Sequence, residues 1–166
     1  MPEAVAITGI GLRLPPACDR PDLFWRFLLD GGDAIGPVPP DRWDPRRFFD
    51  EDPDRPGKTY VARGGFLKQD VRTFDPMVFG ISPREAQGMD PQQRLLLETA
   101  WEAFEDAGLP AEALEGSRTG VFLGGFCLDH LIQIAQPPNR PMAGSHSATS
   151  ASMTILGNRL SYAFNL

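Results

Sequence analysis

At 166 residues the chain is long enough for one domain, or one domain carrying an insertion, with a real hydrophobic core. Sixteen Lys and Arg against 22 Asp and Glu give a net charge of −6 and a pI of about 4.9, which excludes a basic footprint for nucleic acid or for an anionic membrane surface. No run approaches the roughly 18 to 20 apolar residues of a membrane span, Cys18 and Cys127 are too few for a disulfide scaffold, and Met1 to Val5 hold no basic region before the first apolar run, so a reducing cytoplasmic setting is expected.

Glycine and proline, 17 residues each, make up about a fifth of the chain, against a usual share of about 12%. With 42% hydrophobic and 10% aromatic content spread along it, the sequence is too rich in core formers for disorder and predicts a loop-rich globular protein. Residues 4–10 form an apolar run with β-branched Val5, Ile7, Thr8 and Ile10, bounded by glycine, as a strand buried on both faces requires. A helix is predicted over 21–29, with Pro21 and Asp22 in its first turn and Gly31-Gly32 after it. Residues 36–65 carry six prolines among Asp, Arg and aromatics, and no periodic element fits them. This is read as a Pro-rich loop insertion. It is either an ordinary surface insertion or, given Trp43, Phe48, Phe49 and Tyr60, a loop that packs on something.

Ser82-Pro83-Arg84-Glu85 has the form of a capping box, and Asp90-Pro91-Gln92-Gln93 repeats it with Asp as cap and Gln as reciprocal partner. Behind the second, Leu96, Leu97, Ala100, Trp101, Ala103, Phe104 and Ala107 recur at spacings of three and four, and Gly108 suits a left-handed cap. A helix over 91–107 follows. Residues 119–125 suggest a second buried strand and 126–136 a short helix. From Met142 to Asn158 no charged residue occurs, while Ala148, Ala151, Ser152, Ile155 and Leu156 keep helical spacing, so this helix is expected to be surrounded by protein or pressed against a second subunit.

The chemistry legible from residue types is thin. Gly9 and Gly11 begin a dinucleotide fingerprint, but its third glycine is replaced by Leu14, and Gly57-Lys58-Thr59 lacks the upstream glycine of a phosphate loop. Gly116-Ser117-Arg118-Thr119-Gly120 sets serine one place early for a nucleophile elbow and reads as a turn. Cys127 and His130 permit a thiol–imidazole pairing, although an unpaired cysteine is ordinarily a small buried hydrophobe. Cys18, Cys127, His130 and His146 share no zinc-ligand spacing, and Asp50, Glu51, Asp52 and Asp54 have the look of a solvated loop.

Four segments together carry a resemblance: Ala4 with its successors to Gly11, Phe74-Asp75-Pro76 through Ser82-Pro83-Arg84-Glu85-Ala86, Met89-Asp90-Pro91-Gln92-Gln93-Arg94 through Glu98, and Thr154-Ile155-Leu156-Gly157-Asn158-Arg159 through Leu166. In this order they resemble the β-ketoacyl synthase (ketosynthase) domains of modular polyketide synthases and related fatty acid synthases. The resemblance implies an α/β, thiolase-like fold, an αβαβα layered sandwich working as a homodimer, of which residues 1–166 would be the incomplete first half. In that family the segment resembling Asn158 to Leu166 leads to the nucleophilic cysteine, and two histidines follow later. On this resemblance the chain stops before all three and contributes no catalytic, cofactor-binding or metal-binding residue of its own, and Cys127, His130 and His146 match none of the family's catalytic motifs.

The complete enzyme would condense an acyl thioester with a malonyl-type extender on acyl carrier protein, its substrates carried on phosphopantetheine. The helix over 145–162 would lie beside the absent nucleophile near the dimer interface, and 36–65 would belong to a lid over the acyl channel. These 166 residues by themselves are expected to be inactive. Two alternatives stand beside this reading: a non-catalytic truncated remnant or dimerisation module, and a free-standing thiol hydrolase using Cys127 and His130.

Overall fold

The computed structural model describes residues 4–166, and its contacts divide these into two compact units, 12–70 and a second made of 4–11 with 71–166. In the first unit, α1 (Pro21–Leu29) falls where the sequence puts it, with proline in its first turn. Its N-cap, Arg20, offers no capping side chain; the guanidinium instead forks onto Asp22 at 2.7 Å, and that hydrogen bond holds the Asp22 carboxyl below the usual carboxylate range. No residue of α1 is buried.

The stretch 36–65 is more ordered than expected. Its ends pair as an antiparallel ribbon, β1 (Ile35–Pro37) against β2 (Arg63–Gly65), with Gly36 opposite Gly64. Between them α2 (Pro45–Phe48) is capped by Asp44, whose carboxylate accepts from the Arg46 amide and side chain and is held low by the latter. Backbone bonds from Thr59 N to Phe48 O (2.8 Å) and from Asp50 N to Thr59 O (3.0 Å) close the loop on itself. Such short pieces escape detection because three or four residues cannot display a period. Trp43 meets Phe48 edge-on at 6.0 Å, yet Phe48, Phe49 and Tyr60 remain exposed.

The second unit is organised by α4 (Pro91–Asp106), one residue shorter than predicted. Asp90 caps it by accepting from Gln92 N, and Gly108 at φ +65° ends it: Gly108 N bonds Glu105 O and Leu109 N bonds Phe104 O, the double closure that a left-handed glycine allows. The buried core joins Ile81, Ala86, Met89, Leu97, Leu160 and Phe164. Its aromatic centre is Phe164, 5.0 Å edge-on from Phe104, with Trp101 and Phe79 beside it. Gly9 and Gly11 lie directly on α4, where a Cβ would run into the carbonyl oxygens of Ala103 and Thr99.

Neither long strand of the sequence reading is a strand in this structure. Residues 4–10 and 119–125 have no ladder partner among the described residues, although Ile10 N bonds the Asp106 carboxylate at 2.9 Å. A β-branched run sets strand propensity, but only a neighbouring chain turns it into a sheet. The single helix expected over 145–162 is two, α7 (Ser147–Ala151) and α8 (Ile155–Ala163), because Ser152 leaves helical geometry at ψ 130°. The remaining helices are α3 (Pro83–Gly88), α5 (Ala111–Leu114) and α6 (Asp129–Ala135), the last inside the predicted 126–136, with 3-10 turns at Pro76–Phe79 and Pro137–Met142.

Candidate functional site

The corner where α3 passes into α4 gathers most of the buried polar groups of its unit. Ser82 caps α3 by accepting from Glu85 N at 3.2 Å, but the expected return bond is absent, because the Glu85 carboxylate points elsewhere. It takes the guanidinium Nη1 of Arg159, which reaches it from α8, and His146 Nδ1 stands 3.8 Å from its other oxygen. Arg159 is 8% exposed, and its Nε and Nη2 find no partner among the described residues. Two segments that carry the resemblance, one at Glu85 and one at Arg159, are thus tied together by charge.

The Asp90-Pro91-Gln92-Gln93 segment works in the same way. Gln92 Nε2 donates to its own cap, Asp90, and to the Cys127 carbonyl at 2.9 Å. Gln93, 1% exposed, donates to Thr149 O at 2.9 Å rather than back to the cap, and Asp90 N donates to Ser150 O at 2.8 Å. Paired glutamines therefore clamp α7 with one side chain and the Cys127 loop with the other. Sequence reasoning misses this because it assigns the glutamines to capping.

Each residue singled out for chemistry has its own contacts in the structure. His130 Nε2 bonds the Gly88 carbonyl at 2.9 Å, and since a carbonyl only accepts, that nitrogen carries the proton. Cys127 is half-buried and held through its backbone, while Cys18 is buried in the other unit, its backbone bridged to Leu14. Among the described residues no three His, Cys, Asp or Glu converge as metal ligands, and Asp50 and Asp52 accept from backbone amides two residues on, within their loop. A groove of about 280 Å³ runs between 121–125 and the start of α8, lined by Val121, Leu123, Gly125, Met153, Leu156 and Gly157. What this arrangement does chemically is position backbone, with buried charge and amides fixing α7, α8 and the Cys127 loop on α3 and α4.

Comparison with known proteins places the whole chain. The family profile described as "Beta-ketoacyl synthase, N-terminal domain" matches residues 2–166. Polyketide synthase GfsB of Streptomyces halstedii is 47% identical over 165 residues, which are 99% of this chain and 3% of that protein. The spectinabilin polyketide synthase system protein NorB of Streptomyces orinoci is 46% identical over 99% of this chain and 7% of its own length. Among solved structures, the oxazolomycin ketosynthase domain OzmH KS7 of Streptomyces albus superposes with a TM-score of 0.84 at 43% identity, covering 96% of this chain and 27% of that one. The ketosynthase from module 6 of the Bacillus subtilis bacillaene synthase gives 0.77 at 32% identity, covering 99% and 25%. The chain therefore spans a small part of the curated relatives and about a quarter of the solved ones, and it has the fold of ketosynthase domains, which is thiolase-like.

Proposed function

The chain belongs to the β-ketoacyl synthase family through its N-terminal domain, and from that premise we propose that residues 1–166 are the amino-terminal part of a ketosynthase domain, with 36–65 an insertion in it. The complete domain carries out decarboxylative condensation. A cysteine thiolate outside these residues takes an acyl group from a phosphopantetheine thioester. A malonyl-type unit on acyl carrier protein loses carbon dioxide, the carbanion attacks the acyl carbonyl, and the thiolate leaves. Two histidines, also outside 1–166, assist. The residues of this chain bind no cofactor and no metal; they hold the frame on which that cysteine is presented. The complete enzyme works as a homodimer in the cytoplasm. No helix among the described residues is long and apolar enough to cross a membrane.

The observation that carries this reading is that the family profile matches residues 2–166, and within that span side chains of three segments that carry the resemblance, Glu85, Gln92-Gln93 and Arg159, tie α3, α4, α7, α8 and the Cys127 loop together. The test is a chimera in which residues 1–166 replace the matched quarter of the oxazolomycin ketosynthase domain, assayed for condensation of an acyl thioester with malonyl-loaded acyl carrier protein. Product is expected, and Cys127→Ala is expected to leave the rate within about twofold, since on this reading the nucleophilic cysteine lies outside residues 1–166 and Cys127 only holds its loop through its backbone. A folded dimeric chimera without product overturns the reading. Loss of turnover in Cys127→Ala returns the chemistry to the thiol pair.

A further inference from the structure

Five residues make a helix too short to hold its own place in water. α7 (Ser147–Ala151) has no side-chain cap at its start and gives way to extended geometry at Ser152, yet Ser150 and Ala151 are buried. Its last carbonyls, which no turn of its own can serve, are taken by the start of α4. Asp90 N donates to Ser150 O at 2.8 Å, and Gln93 Nε2 donates to Thr149 O at 2.9 Å. The first of these bonds joins backbone to backbone and is open to any residue. The second belongs to a side chain, so Gln93 is the part of the clamp that residue identity decides.

Gln93 is itself fully buried. Because a carbonyl only accepts, its amide nitrogen faces Thr149, and Oε1 is left buried without a donor among the described residues. A buried acceptor left unmade is a cost. Gln93→Met removes that orphan and orphans the Thr149 carbonyl in exchange, so the two sides nearly balance in stability, and what the amide alone supplies is direction. We propose that Gln93 is a positioning residue for condensation: its amide sets α7 and, across the break at Ser152, α8, the element that leads toward the nucleophile of the complete domain. The proposal rests on the family reading above and adds to it the side chain on which the frame turns. A misplacement of about 1 Å at a reacting group can cost about a hundredfold in rate, so one directed bond at the root of the frame is enough to be felt.

The test uses the chimera with the oxazolomycin ketosynthase domain and reads four quantities in Gln93→Met: kcat, KM for malonyl-loaded carrier protein, the urea midpoint, and amide exchange across 145–154. Expected are a fall in kcat of at least tenfold, KM within twofold, an unmoved midpoint, and exchange across 145–154 at least tenfold faster. Gln133→Met makes the same exchange of side chains at an exposed glutamine of α6 and is expected to stay within twofold of the wild-type kcat. A kcat within twofold of wild type in Gln93→Met overturns the proposal, as does an equal loss in Gln133→Met or a loss matched by a fall in the midpoint. Should Gln93→Met not fold, Gln93→Glu, of the same shape but with no amide donor, is read against the same expectations; failure of both to fold makes the amide structural and also overturns it. The function reading fails separately, through a folded wild-type chimera without product. In that case the exchange measurement decides the clamp, and unchanged protection across 145–154 removes it.

Discussion

The Arg159–Glu85 pair shows what a single buried charge imposes. The Arg159 side chain is 9% exposed and that of Glu85 16%, so neither ion is screened as a surface pair would be. Removing one partner strands the other out of water, which costs about 3 to 5 kcal/mol, whereas replacing both by apolar groups of like volume is often neutral. Glu85→Ala is therefore expected to lower stability by about 3 kcal/mol, read from the midpoint of urea unfolding. Glu85→Leu with Arg159→Met is expected to recover most of that loss, since it also deletes the two guanidinium nitrogens that lack partners. His146, about half exposed and 3.8 Å from Glu85, contributes at the level of a surface contact, and His146→Ala should cost under about 1 kcal/mol. A Glu85→Ala protein as stable as wild type would show that the pair is only a contact of convenience. None of this is legible residue by residue. A capping box predicts a Glu85 bond three residues back, and only the partner 74 positions away overrides it.

At the scale of elements, legibility follows how local the determinants are. α1 and α4 are readable because their signals are local: a first-turn proline and a following glycine in both, and in α4 also the Asp90 cap and the apolar period. The extended runs 4–10 and 119–125 read as strands yet stay unpaired, because pairing depends on residues elsewhere. The break between α7 and α8 is hidden by a composition of small uncharged residues that reads as helical throughout. Two glycines separate the causes of local intolerance. At Gly108 the surroundings are open but φ is +65°, so Gly108→Ala should cost about 1 kcal/mol, all of it backbone strain. At Gly11 the space is shut by the Thr99 carbonyl on α4, so Gly11→Ala should cost about 3 kcal/mol by forcing 4–11 off the helix. Thermal unfolding of both variants checks the order. A larger loss at Gly108 would mean that residues 4–11 do not lie on α4.

For the whole molecule the governing quantities are net charge and uncovered apolar surface. Val5, Ile7, Phe122, Phe126 and Tyr162 are each more than four-fifths exposed, which is more bare hydrophobe than a soluble monomer usually carries. At pH 7 a charge of −6 opposes association through mutual repulsion. Lowering the pH toward the pI of about 4.9 protonates carboxylates and removes that repulsion while leaving the apolar surface unchanged. Light scattering of the isolated chain should accordingly rise steeply between pH 6 and about pH 5, and roughly 1 M salt at pH 7 should produce part of the same rise by cutting the screening length to about 3 Å. Substituting Asp for Phe122 and Phe126 adds charge and removes two of the exposed rings, so it should move the onset to lower pH. Scattering that stays flat across this range would require the exposed side chains to be covered in solution.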